Sequence, residues 1–277
     1  MKYMERISLL QKANDIRKTT LTMCYHAHTG HIGGSLSSID YLTALFYKIM
    51  NYDVSNPTWK ERDRFILSKG HNIEGYISIL ADLGFIEKSE LDTFCQFGSR
   101  LIGHPDINVP GVEMNTGSLG HGIGGACGMA LGGQKANASF RVYCLLGDGE
   151  LAEGSVWEAF MFASNYNLSN LYVAIDRNRL QISGPTENVM RLEPLEQKVK
   201  SFGFATEVID GNNIPQILTA FERLEQVNDK PKMIILNTIK GKGISFMENN
   251  PKWHHGHIND EQYALAVSDL DNIGRYL

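Results

Sequence analysis

The alternation of short apolar runs with helical stretches is the feature that most restricts how this chain can fold. Uninterrupted apolar runs of this length are typical of strands buried on both faces of a parallel sheet. When such strands alternate with helices, the connecting helices cover both faces of the sheet. The sequence therefore predicts an α/β fold with a mostly parallel central sheet. The predicted strands are residues 64–68, 140–146, 171–175, 205–209 and 232–238.

Apolar spacing and small-residue content predict the helices, which are residues 5–28, 36–50, 73–83, 119–135, 154–166, 193–202 and 214–227. Residues 97–116 are rich in Gly, Pro and Asn and read as a long loop, a kind of segment that is usually functional in compact domains. No internal repeat or linker interrupts the chain, so we expect one domain over residues 1–277.

Composition excludes several classes of function. The net charge is −5 and no basic run is present, which argues against a nucleic-acid partner. No stretch approaches eighteen apolar residues, and the first ten residues carry charge where a signal peptide would be apolar, so we expect no membrane association. The four cysteines are widely spaced, which suits reduced thiols and predicts a cytoplasmic protein.

Polar residues follow two of the predicted strands. Asp148, within Gly147-Asp-Gly149, follows the strand at 140–146, and Asn178 follows the strand at 171–175. Strand ends in a parallel sheet lie close in space, so a carboxylate, an amide oxygen and a loop carbonyl can converge there. That oxygen set suits Mg²⁺ with a phosphorylated ligand. Each segment taken singly is also common turn chemistry.

Glycines open the helix at 119–135. Residues 120–125 fit the G-x-G-x-x-G pattern of dinucleotide-binding proteins, but that pattern requires a buried strand directly before it. The preceding residues include Pro, Gly and Asn and form no such strand. We therefore expect these glycines to let backbone amides and a helix N-terminus meet a phosphorylated ligand, which the resemblance described next identifies as a diphosphate.

The segment Gly147-Asp-Gly149, separated by about 28 residues from Asn178, resembles the thiamine diphosphate motif. With other motifs in the same order, it makes nearly the whole chain similar to the N-terminal, diphosphate-binding half of a transketolase. The other matching segments are residues 29–37, 68–71, 103–105, 110–120, 147–154, 240–246 and 253–256. Six of the nine histidines also adjoin a glycine, and several imidazoles at one site suit proton transfer and hydroxyl binding.

The resemblance implies a thiamine diphosphate-binding fold and a set of site residues. The catalytic residues would be His31, His71, His104 and His255. The cofactor-binding residues would be His71, Gly117, Ser118, Leu119, Gly147, Asp148, Gly149, Glu153, Asn178 and His255. The metal ligands would be Asp148, Asn178 and the Leu180 carbonyl, holding Mg²⁺ or, in its place, Ca²⁺ or Mn²⁺. His254 and His257 carry less weight.

The resemblance also implies a partner. In the family, the residues around the aminopyrimidine ring lie on a second module that this sequence does not contain, so we expect a C-terminal transketolase subunit to supply it. An α2β2 heterotetramer would follow, with Glu153 facing its counterpart across the dimer. The substrates would be sugar phosphates or related ketoses and aldoses, between which a two-carbon ketol unit is transferred.

Two alternatives stay open. The chain could instead be the α subunit of a 2-oxo acid dehydrogenase or a relative of deoxyxylulose phosphate synthase, which use the same cofactor. The set of histidines favours ketol transfer, because several imidazoles suit a polyhydroxylated sugar. A non-catalytic scaffold or regulatory subunit is the alternative of another class. The intact Asp148, Asn178 and histidine set argues against it, because a scaffold needs none of them.

Overall fold

A five-stranded parallel sheet forms the centre of the computed structural model, which describes residues 3–275. The spatial order of the strands is β1-β2-β3-β7-β6, and every neighbouring pair is parallel. The strands are β1 (Arg64–Leu67), β2 (Val142–Gly147), β3 (Leu171–Arg177), β6 (Ala205–Asp210) and β7 (Lys232–Asn237), with a small antiparallel hairpin of β4 (Leu180–Gln181) and β5 (Gly184–Pro185). All five predicted strands are confirmed, and so is the α/β class.

Helices pack on both faces of this sheet. They are α1 (Tyr3–Ala27), α2 (Ile32–Ala44), α3 (Ile73–Leu83), α4 (Gly122–Lys135), α5 (Gly154–Asn165), α6 (Thr186–Val189), α7 (Leu195–Ser201), α8 (Ile214–Glu225) and α9 (Asp260–Arg275). A π-helical turn, Leu45–Ile49, extends α2, and 3₁₀ turns lie at Gly70–Asn72, Lys88–Thr93, Gly149–Ala152 and Pro251–His254. Across residues 3–275, no helix is both long and apolar enough to span a bilayer.

Alternate residues of the inner strands enter two separate cores. Tyr143 and Leu145 of β2 pack with helices α1, α2, α3 and α8, whereas Cys144 and Leu146 pack with α4, α5 and α7. This follows from the two-residue period of a strand, whose successive side chains point to opposite faces. Because both faces are covered, strands β1, β2, β3 and β7 are largely apolar, which made them recognisable in the sequence, whereas the edge strand β6 is half-buried and carries Glu207.

Two helical regions differ from the prediction. Helix α2 begins at Ile32, four residues before the predicted start, and includes Gly33 and Gly34. A Cβ on Gly33 would lie 2.4 Å from the Trp253 carbonyl oxygen, and one on Gly34 would lie 2.3 Å from Nδ2 of Asn72. Close packing therefore outweighs the low helix propensity of glycine. Helix α9 was not predicted at all.

Candidate active site

A cavity of about 260 Å³ opens at the carboxyl ends of the central strands. This is the edge at which parallel α/β sheets bind their ligands. Many of the residues predicted for the site line it: His71, Gly117, Leu119, Gly147, Asp148, Gly149, Asn178 and Leu180. The fold thus brings together segments that are more than 100 residues apart in the sequence.

Asp148 lies at the end of β2 and is buried. Its Oδ1 accepts a hydrogen bond from the backbone N–H of Gly149 at 2.8 Å. Its Oδ2 accepts one from the N–H of Arg179 at 2.6 Å and one from the Arg177 guanidinium at 3.0 Å. Burial, together with the nearby Asp176 carboxylate, raises the pKa of Asp148 to about 6, although Arg177 opposes the rise. A cation bound to Asp148 would offset this cost of holding a buried charge.

Asn178 and Leu180 complete the predicted oxygen set. The Asn178 amide donates from Nδ2 to Oδ2 of Asp176 at 3.0 Å, and its Oδ1 accepts the N–H of Leu180 at 3.1 Å. The Leu180 carbonyl accepts a hydrogen bond from Nζ of Lys240 at 3.3 Å. One carboxylate, one amide oxygen and one carbonyl oxygen therefore line a single cavity, and hard oxygens of this kind are what Mg²⁺ prefers.

A buried ion pair that the sequence analysis did not identify lies beside this set. Nζ of Lys69 is 2.6 Å from Oδ2 of Asp176, and both side chains are buried. The hydroxyls of Ser37 and Thr238 also donate to the Asp176 carboxylate. Burial by itself would raise the pKa of Asp176, but Lys69 and these hydrogen bonds hold it below its ordinary value. The ionised Asp176 fixes the Asn178 amide with its oxygen directed away from Asp176.

Glu150, which the sequence analysis also did not identify, connects two loops of the site. Its Oε1 accepts hydrogen bonds from the Ser68 hydroxyl at 2.5 Å and from the N–H of Gly120 at 2.9 Å. Its Oε2 accepts the N–H of Gly147 at 3.0 Å. Burial raises the pKa of Glu150, and these three donors oppose the rise. Glu150 thus ties the glycine loop before α4 to the loop that carries Asp148.

The glycine loop passes close to an imidazole. Gly117 has a φ of 151°, and a Cβ there would lie 2.8 Å from Cδ2 of His104. Gly117 and Leu119 line the cavity, whereas Ser118 between them is exposed. A residue with a side chain at 117 would displace His104, so glycine is required here by close approach as well as by the backbone angle.

Five imidazoles cluster beside the cavity. Around His31, the ring centroids of His255, His71, His254 and His104 lie at 4.5, 5.2, 5.7 and 6.2 Å respectively. Within residues 3–275, no three His, Cys, Asp or Glu side chains are grouped so as to hold a metal ion. This histidine cluster is therefore suited to hydrogen bonding and proton transfer rather than to metal binding.

Burial keeps three of these imidazoles neutral. It lowers the pKa of His31 to about 4, that of His71 to about 2 and that of His254 to about 3, with neighbouring imidazoles and lysines adding to the effect. Burial also lowers the pKa of His104. At pH 7 these side chains can each donate one hydrogen bond and accept another, as hydroxyl recognition requires.

Glu74, a buried residue of α3, holds His31 in place. Its carboxylate accepts the backbone N–H of His31 and the hydroxyl of Ser35, both at 2.6 Å. On the other side, Nδ2 of Asn72 donates to the His31 carbonyl at 3.1 Å. The backbone of His31 is therefore fixed from two directions, although nothing in the sequence distinguished Glu74 from an ordinary helical glutamate.

The two adjacent histidines at 254 and 255 have different surroundings. His254 lines the cavity, stacks on His71 at 5.2 Å and lies 2.9 Å from Nζ of Lys240 through its Nδ1. His255 is exposed and lies 3.3 Å from the Thr29 hydroxyl. The structure thus brings His254, which carried less weight in the sequence analysis, into the cavity, and leaves His255 at the outer side of the cluster.

Glu153 is also outside the cavity lining. It is exposed and precedes the first residue of α5, next to Gly120. Glu153 therefore does not line the cavity. Its contact with its counterpart in a second copy of the chain stays a prediction.

Comparison with known proteins gives one family. The family model described as "Transketolase, thiamine diphosphate binding domain" matches residues 10–270. The chain is 44% identical over 266 residues to one of the subunits of apulose-4-phosphate transketolase from Phocaeicola vulgatus, covering 96% of this chain and 94% of that one. It is 42% identical over 271 residues to 6-deoxy-6-sulfo-D-fructose transketolase subunit SqwG of a Clostridium species, covering 98% of each.

Single-chain transketolases match over part of their length. The crystal structure of transketolase from Campylobacter jejuni superposes with a TM-score of 0.89 at 31% identity, over 98% of this chain and 43% of that one. Human transketolase is 38% identical over 248 residues, which are 89% of this chain and 39% of the human protein. The chain therefore spans less than half the length of these larger relatives.

Proposed function

The chain belongs to the family of transketolase thiamine diphosphate-binding domains, and from this we propose that it is the diphosphate-binding subunit of a split transketolase. It would transfer a two-carbon ketol unit from a ketose donor to an aldose acceptor. The similarity to two proteins named as transketolase subunits, each covered over at least 94% of its length, supports this assignment. We further propose that residues 1–277 form one domain that acts in the cytoplasm.

The oxygen set in the cavity is the observation that carries the proposal. Asp148, Asn178 and the Leu180 carbonyl would hold Mg²⁺, or Ca²⁺ or Mn²⁺ in its place, and the metal would hold the diphosphate. The fit is good, because the donor set is all oxygen and the buried ammonium of Lys240 adds a positive charge for an anion. Burial and the neighbouring Lys69 lower the pKa of Lys240 to about 8, so the anion would favour its charged form.

The backbone of the glycine loops would accommodate the diphosphate. Gly117, Gly147 and Gly149 line the cavity together with Leu119, and without side chains the three glycines let their backbone approach a bound anion closely. We also propose Ser118, Glu153 and His255 as cofactor-binding residues, because they belong to the loops and to the histidine cluster beside the cavity. The thiazolium ring of the bound cofactor would supply a nucleophilic carbon and an electron sink for the transferred unit.

The histidines would act on the sugar. His31 and His104, with His255 at the outer side of the cluster, would bind substrate hydroxyls and move protons to and from them. His71 lines the cavity and would lie between the diphosphate and the reacting centre. Neutral imidazoles suit this role because each can both donate and accept a proton at pH 7.

The partner would be a C-terminal transketolase subunit that carries the pyrimidine-binding module, in an α2β2 heterotetramer. The names of the relatives, which designate subunits, support a partner. The exposure of Glu153 is compatible with a contact between two copies of this chain. The same names specify apulose 4-phosphate and 6-deoxy-6-sulfo-D-fructose, so we propose a sugar phosphate or a related anionic ketose as the donor.

Activity after reconstitution tests the proposal. The purified chain, its candidate partner and the mixture are assayed with thiamine diphosphate, Mg²⁺ and either a ketose phosphate or a 2-oxo acid as donor. We expect ketol transfer from the ketose only in the mixture, and none with either protein by itself. His104→Ala should abolish most of this activity, whereas His26→Ala, which changes an exposed histidine outside the cluster, should leave it intact. Activity of the chain without a partner, or with the 2-oxo acid only, would contradict the proposal.

A further inference from the structure

A buried arginine contacts the carboxylate proposed to bind the metal. Arg177 ends β3, and its side chain is only 1% exposed. Its Nη1 donates to Oδ2 of Asp148 at 3.0 Å and to the Thr186 hydroxyl at 2.6 Å. Burying a guanidinium is costly unless it is paired, so a buried arginine at this position needs an explanation.

The contact makes the two oxygens of Asp148 unequal. Oδ2 accepts two hydrogen bonds, one from Arg177 and one from the N–H of Arg179. Among residues 3–275, Oδ1 accepts only one, from the N–H of Gly149. Each carboxylate oxygen has about two acceptor positions, so Oδ2 is filled while Oδ1 keeps one position free. A cation can therefore reach Asp148 through Oδ1 but not through both oxygens together.

Two glutamates balance the charge that Arg177 brings. Nη2 of Arg177 is 2.7 Å from Oε1 of Glu187 and 3.0 Å from Oε1 of Glu193. With Asp148, these carboxylates provide three negative charges against the single positive charge of the guanidinium. Without them, Arg177 would cancel the charge of the only carboxylate in the oxygen set and so weaken its attraction for a dication.

We propose that Arg177 is a positioning residue that makes Asp148 a one-oxygen ligand and thereby favours Mg²⁺ over Ca²⁺. The inference rests on the proposed function, because it requires that Asp148 bind the metal of the cofactor. Mg²⁺ takes six ligands in a near-octahedral arrangement, which suits a carboxylate bound through one oxygen. Ca²⁺ takes six to eight and readily uses both oxygens of a carboxylate. With Oδ2 filled, Asp148 lacks the second oxygen from which Ca²⁺ would benefit.

The ratio of the Mg²⁺ and Ca²⁺ affinities tests this inference. The chain, reconstituted with its partner and freed of metal, is titrated with each cation by calorimetry in the presence of saturating thiamine diphosphate. In Arg177→Met we expect the ratio to shift toward Ca²⁺ by about tenfold or more, in the range seen when a partner of a metal ligand is removed. Both ions carry the same charge, so the electrostatic effect of removing the Arg177 guanidinium changes both affinities equally and leaves their ratio unaffected.

Arg179→Met is the matched control. It removes the same charge two residues away, but Arg179 holds Asp148 through its backbone N–H and directs its side chain to Asn237. Its ratio should equal that of the unaltered chain. Replacing both Glu187 and Glu193 by Gln should weaken binding of both ions by a similar factor and leave the ratio unchanged.

An unchanged ratio in folded Arg177→Met, or the same shift in Arg179→Met, would overturn the inference. If Arg177→Met does not fold, Arg177→Lys replaces it. Lysine keeps the charge but lacks the planar pair of nitrogens that reach Asp148 and the glutamates together. The affinity ratio should therefore shift toward Ca²⁺ in Arg177→Lys as well, and an unchanged ratio in this variant would overturn the inference. If the unaltered protein binds no thiamine diphosphate with either ion, the proposed function itself fails; normal binding with an unaltered ratio in the variant refutes this inference alone.

Discussion

Removing the charge of Asp176 is expected to destabilise the protein more than any single surface change. Asp176 and Lys69 are 0% and 1% exposed, and their charged atoms are 2.6 Å apart. In Asp176→Asn the side-chain volume is preserved, but the buried ammonium of Lys69 loses the carboxylate with which it is in contact. The carbonyl of Gly34, at 3.1 Å from Nζ, becomes its strongest remaining partner.

Breaking a buried ion pair by removing one partner costs about 3–5 kcal/mol. We expect the lower part of that range here, because the Gly34 carbonyl and the new amide oxygen still accept hydrogen bonds from Lys69. Lys69→Met leaves the Asp176 carboxylate buried with neutral donors only, and its cost should be similar. In the double variant neither charge remains, so its cost should fall below the sum of the two single costs by about 2 kcal/mol or more.

Equilibrium urea unfolding of the four proteins measures this coupling. The pair Glu196 and Lys200 is the control, since its side chains are 48% and 53% exposed and exposed i,i+4 pairs on a helix contribute only about 0.3–0.5 kcal/mol. Strict additivity at Lys69 and Asp176, or a cost of Asp176→Asn no greater than that of Glu196→Gln, would refute the argument that this buried pair supports the site.

Other consequences can be measured separately. The free energy of unfolding should fall as the pH drops from about 6.5 toward 4, because histidines of the unfolded chain bind protons in this range while His31 and His71 stay neutral in the folded protein. Unfolding measured at pH 7 and at pH 5 tests this. In His71→Gln the free energy of unfolding should depend less on pH. Replacing His31 or His104 by Ala should reduce turnover by about 10²–10⁴ with cofactor affinity retained, as steady-state kinetics and calorimetry would show. Asn178→Ala should weaken cofactor binding in calorimetry, whereas Leu180→Ile should change it little, because only the carbonyl of that residue is used.

Much of the fold was predictable because most strands of its sheet are apolar on both faces. The Asp148 and Asn178 pair was predictable for a related reason: both follow such strands, and strand ends in a parallel sheet meet at one edge. Helix α9 was not predicted, because many of its residues are polar and only a few, such as Ala266 and Leu270, enter the core.

The partnerships around the site could not be read from the sequence. Asp176 is the penultimate residue of an otherwise largely apolar strand, and only the packing of distant segments shows that its partner is Lys69. Arg177 likewise pairs with Asp148, which directly follows another strand, β2. His254 ends a 3₁₀ turn and His255 continues in extended conformation, so the direction of each side chain depends on this local backbone, and the sequence could not decide which of the two enters the cavity.

Cation-dependent binding of thiamine diphosphate, compared between the unaltered chain and Asp148→Ala after reconstitution with the partner, tests the central claim most directly. Asp148 is the only carboxylate in the proposed ligand set, so its loss should remove the main attraction for the dication. The account predicts Mg²⁺-dependent binding by the unaltered protein and none detectable by Asp148→Ala, with Asp92→Ala, a change at an exposed aspartate, behaving normally. Unchanged affinity of Asp148→Ala for the cofactor would contradict the account.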